Sequence, residues 1–141
     1  MIIILNILEN NQAQWLLIDR NKIKNSYNFT ITKEKGVLFH LDQFLKKNKL
    51  DLKNTTAIAL AVRQISLTQI KIITAVINTL GWQLNIPVVG EFECLQPIEK
   101  ILPGLLKNLE KQKKFQPIKV VYKNQPEITI SSKKRKFVIK K

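Results

Sequence analysis

Apolar and polar positions along this chain shift between two periods, and each shift marks an element. Residues 2–8 are almost all Ile and Leu, which predicts a strand buried on both faces. Glu9-Asn-Asn-Gln12 is turn chemistry, and Ala13–Asp19, with Trp15, Leu16, Leu17 and Ile18, predicts a second strand. Arg20-Asn21-Lys22 is a tight connection of the hairpin kind. Ile23 to Thr32 then alternates through Tyr27, Phe29 and Ile31 as a third strand, completing an antiparallel meander. From Gly36 the spacing turns helical: Val37, Leu38, Leu41, Phe44 and Leu45 share a face opposite Asp42, Gln43, Lys46 and Lys47. Ala57–Val62 is a continuous apolar run too short for a helix, and predicts a fourth, central strand.

Ser66 opens the next helix. Ser66-Leu-Thr-Gln69 has the form of a capping box, with Ile65 and Ile70 placed as a hydrophobic staple. Along it Ile70, Ile73, Ile77, Leu80 and Leu84 form one stripe, which Ile72 and Val76 widen. So broad a stripe serves either deep burial between layers or a second face that docks another helix. Ile86–Gly90 predicts a fifth strand, parallel to the fourth through a right-handed crossover. Gln96–Gln112 is helical, with Pro103-Gly104 kinking or restarting it. Ile118–Tyr122 and Glu127–Ser131 read as two further strands. The class is α/β.

Composition narrows the functional classes. A chain of 141 residues with 45% apolar content is one domain, or one lobe with an appendage, and has enough apolar side chains for a core. Its formal charge is +14, and 21 of its 24 basic residues are Lys. Such charge attracts nucleic acid or acidic membrane surface, but the joint abundance of Ile, Lys and Asn also fits compositional drift. From Lys100 onward, thirteen Lys or Arg face only Glu110 and Glu127, so that region carries +11. Cys94 is the sole cysteine, which excludes an intrachain disulfide and a thiolate cluster and suits a reduced, cytoplasmic setting. The apolar start lacks a basic leader and cleavage site, and no run reaches the ~20 residues that span a bilayer, so a soluble protein is expected.

No catalytic set emerges. His40, the only histidine, sits among Leu38, Leu41 and Phe44 as a packed or half-exposed residue. Cys94 follows a strand with no evident base and reads as an inert buried thiol. Asp19, Asp42 and Asp51 do not occupy corresponding strand ends, so no carboxylate pair for metal-assisted phosphoryl transfer can be named. Neither metal nor other cofactor is expected. Lys133-Lys-Arg-Lys136, with Tyr122 and Phe137 nearby, reads either as a phosphate-binding segment with stacking aromatics or as a solvated terminus.

The order β-β-β-α-β-α-β-α, a meander followed by parallel crossovers, resembles one lobe of the actin-like (ribonuclease H-like) ATPase fold. Within that group residues 1–95 resemble TsaB, the bacterial subunit that supports synthesis of threonylcarbamoyladenosine in tRNA. The family's strand-loop-helix reads roughly G-P-G-S-F-T-G-L-R. Here it is Arg63-Gln-Ile-Ser-Leu-Thr-Gln-Ile-Lys71, with Ser66 and Thr68 kept and all three glycines gone. Val37–Leu45, Leu50–Ile58 and Leu84–Gly90, followed by Glu93-Cys-Leu95, are similar to three more family segments. The acid that ends the family's first strand is Asn6 here, and the family's H-S-E is Lys33-Glu34-Lys35. Residues 96–141 stand, as a reduced and strongly basic segment, where the family has a second lobe.

The resemblance implies a non-catalytic scaffold that binds a TsaD-like catalytic subunit through the two helices of the lobe. Leu38, Leu41, Phe44 and Leu45 from the first helix, and Ile72, Ile73, Val76, Ile77 and Leu80 from the second, are the expected contacts. A homodimer would use the same helices. The alternative is a basic tRNA-binding module acting through Lys133, Lys134, Arg135 and Lys136.

Overall fold

The computed structural model describes residues 1–63 and 65–120. Strands β1 (Ile2–Ile7), β2 (Gln12–Asp19) and β3 (Lys22–Thr30) form the meander, followed by α1 (Val37–Lys47) and a single 3-10 turn at Leu52–Asn54. Then come β4 (Ala57–Val62), α2 (Leu67–Leu84), β5 (Val88–Glu91) and α3 (Ile98–Lys111). Both hairpins close through a pair of left-handed residues, Asn10 and Asn11 (φ 58° and 62°) and Arg20 and Asn21 (φ 52° and 64°). Two such residues match the twist of the flanking strands, and Asn tolerates that region better than most side chains.

The five strands form one sheet in the order β3-β2-β1-β4-β5. β1 pairs antiparallel with β2 and parallel with β4, so that Leu5 lies between Trp15 and Leu60. Side chains alternate across this sheet into two cores. Ile3, Leu5, Ile7, Ile58, Leu60 and Val62 join Leu41, Phe44, Ile70, Ile73 and Ile77 beneath α1 and α2. On the other face Ile4, Ala57, Ala59 and Ala61 meet Leu102, Leu105, Leu106 and Leu109 of α3. The three alanines leave room for the large leucines of α3, as interdigitation of close-packed layers requires.

Local chemistry sets the helix ends. Ser66 Oγ accepts from the Gln69 amide at 3.2 Å, the hydroxyl half of the expected capping box. The Gln69 side chain does not close the other half: its Oε1 accepts from the Ser66 hydroxyl, and its Nε2 reaches Asn11 Oδ1 at 2.8 Å. Asn85, at φ 55°, ends α2 as a left-handed cap. Trp15 Nε1 donates to the Val37 carbonyl at 3.1 Å, tying α1 to the sheet. α3 runs unbroken through Pro103, which with Gly104 is exposed to solvent.

Within residues 96–141, the basic segment named from sequence, α3 packs on the far face of the sheet. Beyond α3 the chain rounds the β5 edge to the α2 side, where Phe115 packs against Gly81 and Ile118 against Gly90. Asn78 holds Ile118 by both backbone groups: its Oδ1 accepts the Ile118 N–H at 2.7 Å and its Nδ2 donates to the Ile118 carbonyl at 3.0 Å. That clamp is why no strand forms at Ile118–Val120, the start of the strand expected at Ile118–Tyr122. Its backbone partner is a side chain, not a neighbouring strand. The strand expected at Glu127–Ser131 lies outside the described residues.

Gly81 is the tightest point of this packing. A Cβ there would sit 2.6 Å from Val88 Cγ1 and 2.9 Å from Phe115 Cδ1. Gly81→Ala gains at most ~1 kcal/mol of helix propensity but overpacks at a cost of about 1–3 kcal/mol. Its thermal midpoint is expected to fall by a few degrees. Gly104→Ala, with nothing within 4 Å, should hold or raise the midpoint. Thermal unfolding of the two variants side by side checks both signs.

Candidate interaction surface on the helix layer

In open α/β sheets ligands bind beyond the carboxyl ends of the strands. Here that region holds a hollow of about 430 Å³ whose lining includes Ile7, Leu8, Asn10, Asn11, Ile65 and Gln69. Among the described residues its walls are aliphatic side chains, neutral amides and Glu9, with no cation to balance a phosphate. Arg63, half-buried beside it, gives its N–H to the Ile7 carbonyl at 3.1 Å, while Ile65 packs on the core. Gln64 lies outside the described residues. At the end of β1, Asn6 is 7% exposed, and its Nδ2 donates to Gln14 Oε1 at 2.9 Å. Gln14 Nε2 in turn donates to Asn28 Oδ1 at 2.8 Å, making an amide ladder across three strands. A neutral amide engaged this way supplies no anionic ligand.

The outer surface of the helices offers different chemistry. Of the nine expected contact residues, Leu41, Phe44, Leu45, Ile73 and Ile77 are buried in the core of this chain. They point at the sheet and hold the helices onto it, which corrects their assignment to a partner face. Leu38, at 51%, and Ile72, at 60%, are exposed, and Val76 and Leu80 are half-buried. Two exposed aromatics were missed. Phe39 follows Leu38, and Trp82, 68% exposed, continues the outer face of α2 through Ala75 and Thr79. Helical spacing from Ala75 through Thr79 to Trp82 was the available signal. Leu41 and Leu45 also line a groove of about 400 Å³ between α1 and the 3-10 turn, with Leu38, Leu50 and Leu52.

Where α1 meets β3, His40 stacks on Phe29 with ring centroids 4.3 Å apart and meets Phe39 edge-on at 5.1 Å. Its Nδ1 lies 3.2 Å from the Tyr27 hydroxyl, while Nε2 is buried without a hydrogen-bond partner among the described residues. Burial, and then the charge of Lys35, push the imidazole below its ordinary value of 6.5. Burial likewise raises the Cys94 thiol, whose Sγ donates to the Glu91 carbonyl at 3.4 Å. No group of three or more His, Cys, Asp or Glu able to hold a metal occurs among the described residues, and none of their helices is long and apolar enough to cross a membrane. The expected nucleic-acid-binding residues Lys133, Lys134, Arg135 and Lys136 lie outside the described residues.

A meander extended by parallel strands, with α1 and α2 on one face and α3 on the other, makes a mixed α/β fold. Solved structures that resemble it include two with matches of similar size. YeaZ from Pseudomonas aeruginosa, the TsaB protein, matches with a TM-score of 0.54 and 19% identity over 64% of this chain. A protein described as uncharacterized, with similarity to peptidase YEAZ from Pseudomonas aeruginosa, matches with a TM-score of 0.53 and 18% identity over 64% of this chain. In each case the match spans 42% of the solved chain, so the likeness concerns a TsaB-like fold over part of its length. No family profile and no curated protein sequence matches this chain.

The His40 cluster gives stability a pH dependence with a definite sign. Because the folded form holds the imidazole below 6.5, its contribution is complete above that value and is lost as pH falls from there through the folded value. The thermal midpoint should therefore drop between about pH 7.5 and pH 5.5, and His40→Phe should flatten that drop. A thermal-unfolding series at fixed ionic strength measures it; equal slopes for both proteins would exclude His40 as the source.

Proposed function

We propose that this chain is a non-catalytic, TsaB-like scaffold that supports threonylcarbamoyladenosine modification of tRNA by docking a TsaD-like catalytic subunit. The observation that carries this reading is the outer face of α2, where Ile72 and Trp82 stand 60% and 68% exposed on a lobe of TsaB-like fold. Exposed large apolar side chains on one helix, with Leu38 and Phe39 on the other helix of that layer, are the raw material of an interface. Helices of the partner would bury them while Leu41, Phe44, Ile73 and Ile77 keep the platform rigid from beneath. The ATP-linked transfer to adenosine then belongs to the partner. Side chains at Arg63 and Ile65 stand where a glycine loop would admit phosphate, and Asn6 stands where an acid would hold a metal. The +11 carried from Lys100 onward supports a second reading, direct contact with tRNA.

Ile72→Asp separates interface from core. The side chain is exposed in the free chain, so the thermal midpoint should change by no more than about 0.5 kcal/mol of stability allows. Burying an unpaired carboxylate against a partner costs about 3 kcal/mol or more, roughly a hundredfold in Kd. Sedimentation of the variant with a TsaD-like subunit is expected to show the loss of the complex. Undiminished association would remove α2 from the interface.

A further inference from the structure

Among the described residues β5 is the last strand of the sheet, and its outer edge has no strand beside it. The Ile58 N–H bonds the Pro87 carbonyl, so alternate residues from Pro87 face β4 in this parallel pair. Val88 and Gly90 accordingly turn their N–H and C=O groups outward. The chain passes beside this edge at Pro117–Lys119 but does not pair with it, because the Ile118 N–H and C=O are both held by Asn78. Between the edge, the end of α3 and this passing segment lies a cleft of about 340 Å³, with Val88, Gly90, Asn108, Lys111, Pro117 and Lys119 in its lining. Lys111 and Lys119 are both exposed, and among the described residues no carboxylate lines the cleft.

We infer that this cleft binds an extended acidic peptide segment of a partner protein, added to the sheet as a strand beside β5. The outward groups of Val88 and Gly90 supply main-chain hydrogen bonds, and Lys111 and Lys119 select for carboxylates. At about 3.3 Å per residue, the four residues of β5 offer a docking edge for three or four residues of the peptide. A second copy of this chain would bring the same lysines against themselves. Lys123 and the six Lys or Arg of residues 133–141 disfavour the ends of the following stretch, while residues 124–132 carry only Glu127, so their occupancy of the edge is an outcome that truncation tests. This surface is distinct from the outer face of α2, and its test does not depend on a TsaD-like subunit.

The probe is a labelled octapeptide of alternating Val and Glu, titrated into the full chain by fluorescence anisotropy. Saturable binding is expected, weakened about tenfold or more by K111E together with K119E, two exposed positions that leave the core untouched. Amide exchange at Val88 and Gly90 should slow when the peptide is added. A Pro–Glu octapeptide of equal charge cannot form the ladder and should bind at least about tenfold more weakly. Equal binding of the two peptides, or unchanged exchange at Val88 and Gly90, would show plain charge attraction and overturn the proposal. So would binding that appears only after residues 121–141 are removed, since the chain's own end would then be the occupant.

Discussion

β1 and β4 are buried on both faces, and the rest of the lobe is organised around covering them. Ile3, Ile4, Leu5, Ile58, Ala59 and Leu60 are wholly shielded from water. A strand with apolar side chains on both faces is stable only inside three layers. α1 and α2 cover one face, and α3 covers the other over Ala57, Ala59 and Ala61. Polarising the inner stripe of any of these helices would expose one side of the central strands, which is why their sheet-facing leucines and isoleucines are occupied before any partner arrives.

That constraint separates structural apolar groups from available ones. A helix lying on a sheet spends only part of its circumference on the contact. On α2 the inner arc is Ile70, Ile73 and Ile77, and the outer arc still carries Ile72 and Trp82. The polar groups at the strand ends follow the same logic in reverse. Asn6, Gln14 and Asn28 satisfy one another across β1, β2 and β3, and Gln69 is committed to Ser66 and Asn11.

Much of this was legible along the chain because it is set locally. Ala57–Val62 reads as a strand from its unbroken apolar run, and Ser66 as a cap from its spacing to Gln69; both stand where expected. Asn10-Asn11 and Arg20-Asn21 made the hairpins recognisable. Helical spacing identifies the apolar stripes but not which members of a broad stripe meet the sheet, and Leu41, Phe44, Leu45, Ile73 and Ile77 are the members that do. Nothing in the local sequence marks Trp82 as exposed, since an aromatic suits core and surface alike. The bond from Asn78 to Ile118 joins residues forty apart, and no local pattern announces it. It replaces strand formation at Ile118 with a side-chain clamp.

The central proposal is that this lobe docks a partner and leaves nucleotide chemistry to it. Asn6 is a neutral amide tied to Gln14, and no cation is among the described residues lining the hollow beside α2. Calorimetric titration of the purified chain with Mg-ATP tests this most directly. The account predicts no saturable heat up to about millimolar ATP, the ceiling of ordinary enzyme substrate affinities. A saturable heat at micromolar ATP, lost when Arg63 or Gln69 is changed, would contradict it.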